Sequence, residues 1–572
     1  MTATSHDTHA SPSGPDKKAL LAGLREDDEL LGDILSTAEL ARVCAHGRSL
    51  AEFAGDAELR AQLRFHCQEL GKAAREVSDT LKNWATQVPW DTLCSLHARG
   101  AQAHSAAEDW EFVELELPRV AESLKQIWSP SYLAATTNEV EDFALDKNAY
   151  DFYRPAGCDL LARTDDYLTW VEARRSTELW QYSRTLEASP GNVSALRNDV
   201  GRLAKGTNYN SQDYLSLNTH PAVRAAVKEA LEEFGPHSAG SPMVLGNTHY
   251  SNSLEQALAE LTQMEHVMLF PTGWAAGFGS IVGLVRQDDY VVLDRLAHAC
   301  LQQGARASTK NIVRYEHLNV EAAREAVREI RSRDAHNGVL VVTDGLFSVD
   351  SDWCDLQKLQ EYCREYQATL LVDVAHDLGS MGPSGTGVLG MQNMLGKVDL
   401  VMSSFSKVFA SNGGFLASHS AAVKQYVKMF SGTHLFSNAL SAAQAAAVLK
   451  ATEIVRSPEG DHLRGRLAQA IGGLRDELTR LGLTCMGEPS PIVPLLIGNE
   501  KLARVAHRLV FERNVLAFMV EFPISPTGAS RFRLQVQASH TAEQGRQAAR
   551  VFAEVIAEAR RYLSSAFGSG LA

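Results

Sequence analysis

Long apolar runs are absent: no stretch of eighteen or more apolar residues occurs, so the sequence offers no membrane-spanning helix. The opening, Met1 to Lys18, is polar and lacks the apolar core of a signal peptide. Paired cysteine spacings are missing too. Cys44, Cys67, Cys94, Cys158, Cys300, Cys354, Cys363 and Cys485 are scattered, which indicates neither a zinc site nor a disulfide framework and predicts reduced thiols in a cytoplasmic protein. Positive charge is also short. With 55 Lys and Arg against 69 Asp and Glu, a net charge of −14 leaves no basic field to hold nucleic acid. No internal repeat is visible.

What is present is length. A chain of 572 residues exceeds the size at which one core keeps growing, which predicts two or three domains. Residues 1–18, rich in Thr, Ser, His, Pro and Gly, are expected to be a disordered tail, and 19–160 a mainly helical domain. After Asp56, a good N-cap, apolar residues recur at Leu59, Leu63, Cys67, Leu70, Ala74, Val77, Leu81 and Trp84, the face of one long helix. Such a stripe suits a coiled coil or a carrier-docking face, but packing inside a local bundle is the commoner explanation. Between 110 and 160 the pattern turns irregular, with many aromatics and prolines 118, 130 and 155, and reads as a packed connector. Residues 161–212 read as a lead-in segment, 213–460 as a large domain and 461–572 as a smaller α+β domain.

In the large domain, apolar runs at 267–270, 290–293, 339–343, 369–372 and 398–402 alternate with helical stretches, the pattern of a parallel sheet covered on both faces. Ligands of such sheets sit beyond the carboxyl ends of the strands. Three runs deliver chemistry there: one ends at Asp344 with Ser348 following, one at Asp373 with His376 three residues on, and one in Ser403-Ser404-Phe405-Ser406-Lys407. An amine for an imine, a carboxylate for a pyridine nitrogen and donors for a phenolate and a phosphate suit pyridoxal phosphate. Taken singly, Lys407 would be a solvated loop lysine, and Asp373 a helix cap or a magnesium ligand of a hydrolase. Pro271 to Gly277 passes from strand to helix through Gly273 and presents free N–H groups suited to a phosphate; alone, such a turn is mostly structural. His298 follows another strand and alone would be an ordinary loop residue.

Taken together, the motifs from about Asp165 to Val555 resemble the α-oxoamine synthases, fold-type I pyridoxal phosphate enzymes. They run in order: QDYLSLNTHP from Gln212, AGSPMVLGNTHYSNSLE from Ala239, TGWAAG from Thr272, DRLAHA from Asp294, DGLFSVDSD from Asp344, DVAHDLGSMGPSGTG from Asp373, SFSK ending at Lys407, LFSNALS from Leu435, SPIVPLLIG from Ser490 and RFRLQVQASHT from Arg531. The resemblance implies an aspartate-aminotransferase-like α/β fold with a mostly parallel sheet. It implies that Lys407 holds the cofactor as a Schiff base and moves the Cα proton. Asp373 would pair with the pyridinium nitrogen, His376 contact the phenolic oxygen and His298 stack on the ring. Gly273, Trp274 and Ser404 match phosphate contacts, with Ser348 a further cofactor contact and Ser437 reaching the neighbouring subunit of a homodimer. Arg533 matches the arginine that grips the amino acid's carboxylate, with Arg531 its runner-up, and Asp213 is a second substrate candidate.

The implied reaction is decarboxylative Claisen condensation of a small α-amino acid with an acyl thioester, giving an α-aminoketone. Departures from the family pattern fall around the acyl donor: Val374 for Glu, Pro242 for Arg, Ser251 for His and Gly277 for Asn. They leave coenzyme A and an acyl carrier protein both open, with residues 19–160 a candidate docking surface, and point toward secondary metabolism. The competing readings are a pyridoxal phosphate aldolase or lyase, racemase or transaminase, and a catalytically silent scaffold subunit.

Overall fold

In the computed structural model of the chain, the described residues are 48–86, 88–101, 104–127 and 141–567, with single positions from Asp27 to Cys44. The tail expected over 1–18 lies outside them. The chain divides into two compact units, 1–180 and 181–572. Among the described residues no helix is long and apolar enough to cross a membrane.

The first unit is helical. Asp56 caps Ala57–Glu76 by accepting from the N–H groups of Glu58 and Leu59. The single helix expected through Trp84 is instead two. Val77 is extended, and Ser78 caps a second helix, Asp79–Trp84, by accepting from Leu81 N–H while its own N–H and hydroxyl donate to the Asp27 carboxylate. Apolar spacing runs on through the break because both helices feed one core, which includes Leu63, Leu70, Leu81 and Leu93.

The expected connector also proves helical over Ala106–Glu111 and Leu117–Ile127. Pro118 has no N–H to give an α-helical ladder, and the chain passes this point through a π turn, Phe112–Glu116, in which Leu117 N–H donates to the Phe112 carbonyl. The unit continues past residue 160, where the sequence pattern placed its end. Helix Asp165–Ser176 belongs to it: Arg174 donates to the carbonyls of Ala144 and Lys147, and Trp170 meets Trp180 edge-on.

The second unit holds three sheets. The strands are β1 (Thr185–Leu186), β2 (Val193–Arg197), β3 (Leu203–Asn208), β4 (His266–Phe270), β5 (Tyr290–Asp294), β6 (Ile312–Tyr315), β7 (Val339–Asp344), β8 (Thr369–Asp373), β9 (Leu400–Ser404), β10 (Gly414–Ser418), β11 (Ile492–Gly498), β12 (Val515–Leu516), β13 (Phe518–Val520) and β14 (Ser530–Gln535). The large sheet runs β4-β10-β9-β8-β7-β5-β6, parallel except for β10. Its five expected strands are present; β6 and β10 were not read from the sequence. Their inner residues, such as Val291, Val342, Leu371 and Val401, are wholly buried, as a sheet covered on both faces requires.

The lead-in segment and the C-terminal part share a sheet, β1-β2-β3-β12, in which β3 runs parallel to β12. The pairing brings the two backbones so close that a β-carbon on Gly206 would lie 1.6 Å from the Asn514 carbonyl oxygen. Only glycine fits there. Gly206→Ala is expected to destabilise the second unit by ~1–3 kcal/mol, the usual cost of overpacking, while Lys205→Ala on the exposed neighbouring position stays near wild type; urea unfolding measures both.

Candidate active site

The carboxyl ends of β4, β5, β7, β8 and β9 open on a cavity of about 330 Å³, within the size range of small-ligand pockets. Each loop leaving these strands supplies part of its lining. Thr272, Gly273 and Trp274 follow β4, His298 and Cys300 follow β5, and Asp344 closes β7 with Ser348 in the loop after it. Asp373 and His376 come from β8, Ser404, Ser406 and Lys407 from β9, and Arg533 arrives from β14 in the small sheet.

Charge is concentrated at the cavity floor. Asp344 and Asp373 stand opposite each other in the register of two parallel strands, both buried. Burial raises both carboxyls above the usual range; the Asp373 charge raises Asp344 further, whereas the Lys407 amine draws Asp373 back toward its ionised form. Burial lowers the Lys407 amine below the ordinary lysine range; Asp373 opposes this shift and Arg533 adds to it. An amine so placed gives up its proton more readily than a solvated lysine, as a nucleophile must.

The phosphate end is built from backbone. Thr272 caps helix Gly273–Leu284 by accepting from Ala275 N–H, which leaves the first N–H groups of the helix without intrahelical acceptors. Gly273 leaves room beside them: a β-carbon there would sit 2.3 Å from the Ser404 side chain. The Ser404 and Ser406 hydroxyls lie 2.8 Å apart.

His376 is held by a chain of hydrogen bonds whose direction is set at one end. The Asn210 carbonyl can only accept, so the Gln535 amide donates to it, Gln535 Oε1 accepts from the Tyr214 hydroxyl at 3.1 Å, and the Tyr214 oxygen accepts from His376 Nδ1 at 2.8 Å. The proton sits on Nδ1 and Nε2 keeps its lone pair. Burial, followed by the charges of Lys407 and Arg533, holds this imidazole well below the ordinary histidine range and so neutral.

Most of the residues picked from the sequence converge here: Lys407, Asp373, His376, His298, Gly273, Trp274, Ser348, Ser404 and Arg533 all line the cavity. Arg533 donates through Nε to the Ser348 carbonyl, and its buried Nη2 has no hydrogen-bond partner among the described residues. Arg531, the runner-up, is buried against Asp350 and is already paired. Asp213 does not line the cavity. Its carboxylate accepts from Leu217 and Asn218 N–H and serves a turn, so its expected substrate contact has no support in this geometry. Ser437 also lies off this cavity, on the segment after helix Gly432–Leu435. The roles of Tyr214, Gln535 and Cys300 were not read from the sequence. Tyr214 and Gln535 lie far from His376 along the chain, whereas Cys300, two residues beyond His298, was within reach of a local reading.

Behind the site, His317 clamps two loops by facing Asp294 at 2.9 Å and Asp352 at 3.2 Å. Although burial alone would lower it, hydrogen bonds to both carboxylates hold its pKa up at about 10. A folded-state value raised above the unfolded ~6.5 stabilises fully below that pH and is lost as pH rises through the folded value. Wild-type thermal stability should therefore fall between pH 7 and 10 more steeply than that of His317→Gln, as measured by melting across that range.

The site fits pyridoxal phosphate. An enclosed amine and carboxylate, a helix N-terminus beside a glycine with no room for a side chain, and an arginine with an unmatched buried N–H form the donor set that the cofactor and an amino acid require. Comparison with known proteins agrees. The aminotransferase class I and II family matches residues 204–552. The 8-amino-7-oxononanoate synthase of Geobacter sulfurreducens is 33% identical over 371 residues, covering 65% of this chain and 92% of that protein. The one from Pseudomonas putida KT2440 is 34% identical over 380 residues, covering 66% and 94%. Among solved structures, Sphingomonas wittichii serine palmitoyltransferase superposes with a TM-score of 0.65 at 26% identity, covering 70% of this chain and 99% of its own. The chain belongs to the aminotransferase class I and II family and, within it, to the α-oxoamine synthases.

Proposed function

We propose that this chain catalyses the pyridoxal-phosphate-dependent decarboxylative condensation of a small α-amino acid with an acyl thioester, releasing carbon dioxide and a thiol and leaving an α-aminoketone. The observation that carries the reading is the enclosed Lys407 amine facing a buried Asp373 carboxylate in a cavity that also presents an unmatched N–H of Arg533.

When bound, pyridoxal phosphate supplies a protonated pyridine ring that draws electron density away from the amino acid's Cα. Asp373 would keep that ring protonated, because a pyridinium gives a buried carboxylate the opposite charge it needs. His376 would contact the phenolic oxygen, and His298 would lie against the ring face. Gly273, Trp274 and Ser404 would take the phosphate at the helix N-terminus, with Ser348 a further cofactor contact. Arg533 would grip the amino acid's carboxylate through parallel hydrogen bonds and so fix which Cα bond faces Lys407. The Lys407 amine would then remove the Cα proton, and the Cα–C bond would form at the thioester carbonyl as the thiolate leaves.

The reading includes a cytoplasmic homodimer. Val244, Leu245 and Phe436 are 86%, 72% and 85% exposed on two segments that pack together through Ala439 N–H to the Gly240 carbonyl and Ser238 hydroxyl to the Ala439 carbonyl. An exposed apolar patch of this kind favours a subunit contact, which would carry Ser437 toward the neighbour's site. For the donor, coenzyme A and carrier-bound thioesters both carry phosphate. Residues 1–180 hold 31 Asp and Glu against 18 Lys and Arg, a charge that repels either donor, so docking on the second unit is the better reading.

Release of labelled carbon dioxide from carboxyl-labelled glycine, alanine and serine tests the reaction. It should require an acyl-CoA or acyl carrier protein, yield an aminoketone of matching mass, and fall roughly 10²–10⁴-fold in Lys407→Ala. Cofactor capture without thioester-dependent release across a broad donor panel would instead favour the lyase or racemase reading. Arg533→Lys, which cannot form the paired hydrogen bonds, should raise KM for the amino acid while leaving cofactor loading intact.

A further inference from the structure

Cys300 has no role in the reaction set out above, yet it lines the cavity and is 1% exposed. Its Sγ lies 3.0 Å from His298 Nδ1. The same nitrogen accepts the Cys300 backbone N–H at 3.3 Å, because His298 is the N-cap of helix Ala299–Ser308. A ring nitrogen that receives a backbone N–H presents its lone pair, so Nδ1 carries no proton and the thiol is the donor to it. The imidazole's own proton is then on Nε2. Burial, followed by the charges of Asp373 and Asp344, raises the Cys300 thiol far above its ordinary range, which keeps it a donor rather than a nucleophile.

The thiol's seat is made by another residue. A β-carbon at Gly277, in helix Gly273–Leu284, would lie 2.4 Å from Cys300 Sγ, with Met402 Cε and Leu301 Cδ2 next at 3.2 and 3.3 Å. Any side chain at 277 would claim the volume that the sulfur fills. The departure at Gly277 and the thiol at Cys300 are two halves of one arrangement. Trp274 meets the His298 ring edge-on, 6.2 Å between centroids, and limits its tilt without selecting a tautomer.

We propose that Cys300 is a positioning residue for His298: its thiol, seated in the space left at Gly277, donates to Nδ1 beside the backbone N–H that already sets the tautomer, and holds the imidazole in one orientation against the cofactor. This rests on the proposed function only in placing a cofactor ring beside His298. Thr272, Ser348, Ser404 and Ser406 are the hydroxyl donors lining the cavity, and none of them bonds this nitrogen among the described residues.

Wild type, Cys300→Ala, Cys300→Ser and the double variant Gly277→Ala/Cys300→Ala, each loaded with pyridoxal phosphate, are compared by visible circular dichroism of the bound cofactor, melting temperature and turnover. Cys300→Ala should lose much of the cofactor's dichroism and roughly 10-fold in kcat, with KM for the amino acid near wild type. Cys300→Ser restores a donor and should recover both. The double variant refills the space with a methyl group, so it should recover melting temperature but not dichroism. If serine does no better than alanine, or the double variant regains the dichroism, the thiol only fills space and the inference is overturned. A wild-type chain that takes up no cofactor would sink the proposed function itself. Normal loading with an unchanged Cys300→Ala spectrum would sink only the role of Cys300.

Discussion

A carboxylate and an amine enclosed together at the ends of neighbouring parallel strands set the terms for the rest of the second unit. Asp373 closes β8 and Lys407 follows β9, and each counters the shift that burial imposes on the other. Either group alone would neutralise in such surroundings, because a charge withdrawn from water is costly unless an opposite charge attends it. Together they place a pair of opposite charges in the cavity that the helix N-terminus at Gly273 also lines.

That pair makes sense only within a parallel sheet. Parallel strands deliver all their carboxyl ends to one edge, so loops far apart in the chain contribute side by side to a single cavity. The large sheet does this with β5, β7, β8 and β9, while β10 runs back to join β4 and carry the helix Gly273–Leu284 alongside. Arg533 comes from a different sheet. β14 pairs with β11 and β13, and the arginine reaches the cavity through its bond to the Ser348 carbonyl, so the group expected to grip the substrate is carried by the three-stranded sheet and the group expected to react with it by the large sheet.

Two histidines at the cavity are oriented by opposite means. His376 donates from Nδ1 into a chain that ends at a backbone carbonyl, whereas His298 accepts at Nδ1 from a backbone N–H and a thiol. Their lone pairs are therefore placed differently although both rings are neutral: Nε2 in His376, Nδ1 in His298. The difference follows from what lies behind each ring rather than from the rings themselves.

The five buried strands, the residues at their ends and the order of the motifs were legible from sequence because each is local: apolar runs of strand length, then a polar residue. Lys407, Asp373, His376 and His298 could be chosen on that basis. Strands β6 and β10 were not, since Ile312–Tyr315 is a four-residue, partly exposed run interrupted by Arg314 and Gly414–Ser418 has only Phe415 of β-type character. Nor was the break at Ser78, where apolar spacing continues across two helices sharing one core. What tertiary structure alone decided were relations between distant segments: the pairing of Arg531 with Asp350, which leaves Arg533, already preferred from the motif, at the cavity; Asp213 as a turn cap; and Tyr214 and Gln535 behind His376. The sequence determined which chemical groups were available at the strand ends, whereas only the folded chain decided which of them kept an unmatched hydrogen bond for a ligand, because that depends on contacts no periodicity records.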